Sequence, residues 1–95
     1  MQPIAVRIPV QFIREGQTIV AVCPVLDVSS YGATLEEARK HFTEALDAFL
    51  EETARHGTLE KVLEEHGWTK IKTHPPRWTP PHIIEEHYEE IALPA

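Results

Sequence analysis

The chain has 95 residues, of which 42% are apolar and 25% are charged. This length allows one small hydrophobic core but not two independent domains, and the composition is that of an ordinary globular chain. No apolar run approaches the roughly 20 residues of a bilayer-spanning helix, and the N-terminus lacks a signal-peptide pattern, so we expect a cytoplasmic protein without a membrane partner.

The formal net charge of −6 disfavours binding to nucleic acid, because phosphate backbones repel an acidic surface. Lys70, Lys72 and Arg77 form the nearest approach to a basic cluster, and they are too few for a duplex footprint. We therefore expect no direct nucleic-acid binding. The same acidity would attract a basic protein partner and speed the encounter with it.

The first third of the chain predicts a three-stranded antiparallel meander. Apolar residues alternate with other residues from Ile4 to Phe12, as in a half-buried strand. Pro9 has no amide donor, which either places this strand at a sheet edge or aligns Pro9 with the unpaired side of the strand. Pro24 ends the second strand. The predicted strands cover residues 4–13, 18–23 and 25–30, with a turn at 14–17.

A long amphipathic helix is predicted to follow this meander. Thr34 and Glu37 have the spacing of a capping box, in which Glu37 reaches back to the Thr34 amide. Gly57 can adopt the left-handed conformation that ends a helix. The predicted apolar stripe, which would lie on the sheet, consists of Leu35, Ala38, Phe42, Ala45, Leu46 and Phe49.

The remaining elements are shorter. Thr58 is predicted to cap a second helix that Gly67 closes, and a strand is predicted over residues 68–73. Prolines make residues 74–81 a stiff, extended connector. For residues 82–93 a helix and a strand are both compatible with the pattern, and we predict a strand that reaches across to a neighbour.

The run C-P-x-L-D-V-S-S-x-G-x-T-x-E-E-A, from Cys23 to Ala38, resembles the signature of the HicB family of small antitoxins. The resemblance covers about residues 4–49, and many relatives carry a Pro-Gly pair where this chain has Asp27-Val28. It implies an α+β fold of partial ribonuclease H type, with β-β-β-α-β order. We assign residues 1–73 to this domain and residues 74–95 to a C-terminal arm.

The resemblance also implies a function. HicB-like antitoxins of type II toxin-antitoxin systems bind a small, basic, messenger-RNA-cleaving toxin of the HicA type and cover its catalytic histidine. Many relatives append a DNA-binding segment, and the proline-rich, acidic residues 74–95 are poor material for one. The edge strand and the arm offer a route to a homodimer or homotetramer.

Candidate catalytic and metal sites are weak in this sequence. Cys23, the only cysteine, lies in an apolar strand and reads as a structural residue rather than a nucleophile. Asp27 has no evident acidic companion for the two-metal site of a nuclease, and Ser29 and Ser30 read as turn formers. The histidines lack zinc-site spacing, although His74, His82 and His87 would converge if the arm folds back. We predict no enzyme activity, no metal and no cofactor.

Partner-binding residues are predicted in two places. Glu44, Asp47 and Glu51 line the helix face opposite Phe42 and Phe49, as either a solvated face or a docking surface. Trp78, beside the proline-rich connector, has the character of an interface anchor. Two alternatives to the antitoxin stay open: an oligomeric scaffold or ligand-binding module without a toxin partner, and a residual metal-dependent hydrolase.

Overall fold

A computed structural model describes residues 5–94, and their fold is α+β as predicted. Strands β1, β2 and β3 form an antiparallel sheet in the order β1-β2-β3, which confirms the meander. A long helix, a short helix and a two-stranded sheet follow. The elements are β1 (Gln11–Glu15), β2 (Thr18–Val22), β3 (Ser29–Gly32), α1 (Leu35–Arg55), α2 (Leu59–Glu65), β4 (Thr69–Ile71) and β5 (Arg77–Thr79).

The first strand is shorter than predicted, because β1 begins at Gln11 rather than at residue 4. Residues 5–10 belong to no strand, and residue 4 lies outside the described part. The register explains this. Gln11 pairs with Val22, so a ladder extended backwards would soon meet Pro24 opposite Pro9, and neither proline has an amide to donate. The alternation upstream instead reflects side chains that pack on the core, such as Ile8 and Val10.

The predicted third strand over residues 25–30 is also wrong in its bounds. Residues 24–28 form a turn closed by bonds from the Cys23 amide to the Val28 carbonyl (3.2 Å) and from the Leu26 amide to the Cys23 carbonyl (3.4 Å). This turn buries Val25, Leu26 and Val28 together. In a strand, two adjacent side chains point to opposite faces, so Val25 and Leu26 could not both be buried on one side. The turn buries both of them, and β3 therefore begins only at Ser29.

Helix α1 has the predicted ends. The Glu37 amide donates to the Thr34 hydroxyl (3.1 Å), while the Glu37 carboxylate accepts from the Ala33 amide (3.4 Å) rather than from the predicted Thr34 amide. At the other end Gly57 has φ +69°. The amides of Gly57 and Thr58 donate to the carbonyls of Ala54 and Thr53, which is the Schellman arrangement.

Helix α2 begins after Thr58, but the predicted side-chain cap is absent. The Thr58 residue has helical backbone angles and its hydroxyl donates to the Thr53 carbonyl (3.4 Å). The helix ends as predicted at Gly67, where the Trp68 amide donates to the Leu63 carbonyl (2.9 Å). Trp68 and Leu63 both enter the core.

Residues 74–81, predicted as a stiff, extended connector, contain β5. This strand pairs with β4 in the register Thr69↔Thr79, Lys70↔Trp78 and Ile71↔Arg77. The prolines flank the strand at 75–76 and 80–81, so the residues between them keep their amides. The His74–Pro75 peptide bond in the connection is cis. Residue 73 thus lies in the connection between two paired strands.

Residues 82–94 are the part of the predicted arm that follows β5, and the name C-terminal arm is used for them alone from here on. They form neither the predicted strand nor a helix. A strand requires a hydrogen-bonded neighbour, and none of the other described residues supplies one. The arm lengthens the molecule to 55 × 28 × 20 Å. The radius of gyration, 16.1 Å, exceeds the about 12 Å of a compact chain of this length.

The core lies between the sheet and α1. Ala38 and Phe42 of the predicted stripe are buried, while Leu35, in the first turn of α1, is 41% exposed. The Trp68 indole nitrogen donates to the Val25 carbonyl (2.9 Å), so it ties the end of α2 to the turn before β3. Within residues 5–94, no helix has the length and apolar character needed to cross a membrane.

Candidate interaction surfaces

The acidic side chains predicted for partner binding lie on the solvent side of α1. Glu44, Asp47 and Glu51 are all exposed, and their spacing places them opposite Phe42 in the helix cross-section. Arg55 lies 3.1 Å from the Glu51 carboxylate across one helical turn, with both side chains mostly exposed. The face therefore presents a net negative charge that one intrahelical ion pair partly offsets.

Trp78 lies in a different place from this acidic face. It is half-buried on β5, with the Lys70 ammonium 5.8 Å from its ring centroid. Its ring borders an apolar groove of about 330 Å³, which runs between residues 6–8, α1 and α2. The groove is lined by Val6, Ile8, Leu26, Leu46, Leu50, Leu59, Leu63, Trp68 and Trp78.

The structure therefore does not gather the four predicted partner-binding residues into one site. Trp78 shares its groove with Leu46 and Leu50, whereas the three carboxylates stand outside it. Helical geometry accounts for the separation, because Leu46 and Leu50 face the hairpin while the acidic residues are turned further round the helix. A single partner would have to wrap around α1 to contact both the acidic face and the groove beside Trp78.

Residues with potential for chemistry are scattered. Cys23 is buried, and Asp27 is exposed in the turn before β3. The His41 and His66 rings hydrogen bond to the carbonyls of Tyr31 and Val62, and His56 and His87 lie beside glutamates. In the described part of the chain, no three histidine, cysteine or acidic residues lie close enough to hold a metal ion.

The sheet has an uncovered face that the sequence analysis did not single out. Ile19 and Ala21 of β2 point to α1 and are buried, so Val20 and Val22 point to the opposite side. Val20 pairs with Ile13 on β1 and with Tyr31 on β3, which are 44% and 68% exposed. The sequence contained a signal for this face, because β2 has apolar residues on both of its sides. A strand with one solvated side would carry polar residues at positions 20 and 22.

The C-terminal arm holds five of the eleven large apolar side chains that are exposed in the described residues. Ile84 and Tyr88 are 96% and 105% exposed, and Ile91 and Leu93 are 70% and 79% exposed. The arm meets β1 through one hydrogen bond, from the Gln11 amide group to the Glu86 carboxylate (3.1 Å). An open cleft of about 620 Å³ lies between Gln11 and residues 85–88, so the arm does not pack closely against β1 there.

No protein-family model, curated protein or solved structure matches this chain.

Proposed function

We propose that this chain is a HicB-like antitoxin that binds a small, basic, messenger-RNA-cleaving toxin of the HicA type and blocks its catalytic histidine. The proposal starts from the resemblance of Cys23–Ala38 to the HicB signature. In the structure this segment consists of a turn, β3 and the capped start of α1, with only Ala33 and Thr34 between β3 and α1. The antitoxin itself performs no chemistry.

The observation that carries this proposal is the acidic face of α1. Glu44, Asp47 and Glu51 are exposed on a rigid helix that is anchored by Phe42 and Ala38 in the core. A fixed row of carboxylates attracts a cationic surface and orients it during encounter. The net charge of −6 adds long-range attraction in the same sense.

The test measures cleavage of a messenger RNA by a purified HicA-type toxin in the presence of this protein. We expect inhibition by the unchanged chain and weaker inhibition by the Glu44→Lys/Asp47→Lys variant. Association should slow as salt rises, because ionic screening weakens electrostatic steering. The matched control is Glu64→Lys/Glu65→Lys, which changes the charge equally on exposed positions of α2 and should inhibit as the unchanged chain does.

Two results would count against the proposal. Absence of any complex with the toxin at low salt would remove the antitoxin function. Cleavage of RNA by this chain alone with Mg²⁺ or Mn²⁺, lost in Asp27→Ala, would instead identify a hydrolase.

A second candidate function is that of an oligomeric scaffold without a toxin partner. The observation that favours it is the exposed apolar arm, since large unpaired apolar segments mark interaction sites. In this case the chain would self-associate as a homodimer or homotetramer, and the HicA-type toxin would not bind.

A further inference from the structure

We infer that the C-terminal arm of one copy adds as a fourth strand to the edge of β1 in a second copy, and that two copies exchange arms reciprocally. This deepens the oligomeric proposal by naming the segment and the edge that would join the copies. It does not depend on toxin binding, and the experiment below separates the two.

The free edge of β1 provides the acceptor. Within residues 5–94, β1 pairs only with β2, so its outer amides and carbonyls have no strand partner. β1 itself contains no proline that would blunt the edge. An edge of this kind binds an extended segment through main-chain hydrogen bonds.

The arm provides a matching donor segment. Its backbone forms no hydrogen bond with the described residues. Its residues 82–93 would span about 40 Å in a fully extended conformation. Pro80 and Pro81 precede it, and each proline restricts its own backbone and that of the residue before it to extended conformations. Ile84 and Tyr88 would lose part of their exposure to water if the arm became part of a sheet.

Charge complementarity between the arm and two arginines beside β1 supports this edge as the acceptor. The arm contains four glutamates and no lysine or arginine. Arg14 lies on β1, and the Arg39 guanidinium lies 5.6 Å from the centroid of the Phe12 ring on the same strand. Neither arginine forms an ion pair with another residue of 5–94. An acidic strand would supply those partners.

The register of the sheet indicates which glutamates meet these arginines. Arg14 pairs with the buried Ile19 and therefore points to the α1 side, whereas Gln11 points to the uncovered face. Glu86 bonds to Gln11 within one chain, which shows the face on which the arm presents that residue. Since side chains alternate along a strand, Glu85 and Glu89 would then point toward Arg14 and Arg39.

The same placement extends the apolar row on the uncovered face. Ile84 and Tyr88 share the side of Glu86, so they would lie next to Ile13 and continue the row Ile13–Val20–Tyr31. A single two-fold axis would relate the two exchanged arms, because each copy carries one acidic arm and one β1 edge with Arg14 and Arg39 on its α1 side.

The experiment uses two charge-reversed full-length variants and measures mass by sedimentation equilibrium. One variant reverses the arm (Glu85→Lys/Glu89→Lys) and the other reverses the edge (Arg14→Glu/Arg39→Glu). We expect the unchanged chain to form a dimer of twice 10.8 kDa. Each variant alone should associate roughly tenfold more weakly or worse, because like charges then face each other.

Mixing the two variants in equal amounts is the decisive step. The basic arm of one would then face the acidic edge of the other, and the acidic arm would face the basic edge, so a heterodimer should form. An arm that binds its own chain would give no such rescue. Circular dichroism establishes that each variant is folded, and Glu44→Lys/Asp47→Lys serves as the charge-matched control, which should still dimerise.

Three outcomes would overturn the inference. The unchanged chain could remain a monomer, both variants could dimerise as well as the unchanged chain, or a chain ending at Pro81 could still dimerise. In the last two cases self-association would persist through another surface, so the oligomeric proposal would survive while the arm exchange would not. If the arm were required for binding a HicA-type toxin and the chain alone stayed monomeric, the toxin would be its partner.

Discussion

Gly32 lies where β3 comes closest to the first turn of α1. A Cβ atom at this position would lie 2.6 Å from the Ala38 amide nitrogen and 2.7 Å from the Glu37 Cβ. Only two residues, Ala33 and Thr34, separate β3 from α1, so the backbone has little length with which to move away. The close approach, rather than a special backbone angle, therefore requires glycine here.

We predict that Gly32→Ala lowers the free energy of unfolding by about 1–3 kcal/mol, the range for overpacking a tight contact. Urea denaturation followed by circular dichroism measures this change. The control Ser29→Ala alters an exposed position of the same strand and should stay within about 0.5 kcal/mol of the unchanged chain. Equal stability of the two variants would show that α1 shifts freely to admit a methyl group.

Trp68 shows how one side chain connects three parts of the chain. Its ring is buried, its amide closes α2, and its indole donates to the Val25 carbonyl in the turn before β3. Trp78, by contrast, is half-buried and borders the groove. Both tryptophans pack near residues far along the chain, but of the two only the Trp68 indole donates a hydrogen bond within the described residues.

At the scale of elements, the two helix starts provide a natural comparison. Both follow a threonine, but only the Thr34 hydroxyl accepts a bond from a helical amide, whereas Thr58 has helical backbone angles and no side-chain cap. A hydroxyl that caps an otherwise unpaired amide stabilises the helix start. The difference arises because the Schellman turn after α1 leads directly into α2, which leaves Thr58 without the extended conformation of a cap residue.

We predict that Thr34→Ala reduces the free energy of unfolding by about 1 kcal/mol, as for other capping threonines. Thr58→Ala should cost less, because its hydroxyl makes only a long bond of 3.4 Å to the Thr53 carbonyl. Thermal denaturation of both variants under identical conditions provides the comparison. A larger loss for Thr58→Ala would contradict this assignment of the caps.

At the scale of the whole molecule, the folded domain and the arm differ in how well their backbones are bonded. β2 lies between β1 and β3, so its amides and carbonyls have partners on both sides. The arm, in the single chain, has no backbone hydrogen bond to the described residues. Local stability therefore falls from the centre of the sheet to the C-terminal end.

We predict that hydrogen exchange reflects this gradient. At concentrations where the chain is monomeric, amides of residues 82–94 should exchange at the rate of an unstructured peptide, while β2 amides should exchange only through global unfolding. Mass spectrometry of exchanged peptides resolves the two regions. Protection in the arm at the lowest concentration would show that it binds its own chain, whereas protection that rises with concentration would agree with exchange between copies.

Local signals in the sequence were sufficient for part of the fold. The meander, the start of α1 at Thr34 and the helix ends at Gly57 and Gly67 were predicted because caps, turns and periodicity act over a few residues. The buried positions of Ala38 and Phe42 follow from the same helical spacing. The same helical spacing predicts the acidic face of α1, because Glu44, Asp47 and Glu51 fall on the side opposite the apolar stripe.

Tertiary pairing decided the remaining features. The start of β1 depends on where β2 meets Pro24, and the existence of β5 depends on its pairing with β4, so neither can be read from one segment. The same holds for the separation of Trp78 from the acidic face and for the contact between Gln11 and the arm. Sequence alone determined where helices begin and end, because those signals are local. Only the folded structure decided strand bounds, the groove and the exposed arm, because a strand or a surface exists only relative to its neighbours.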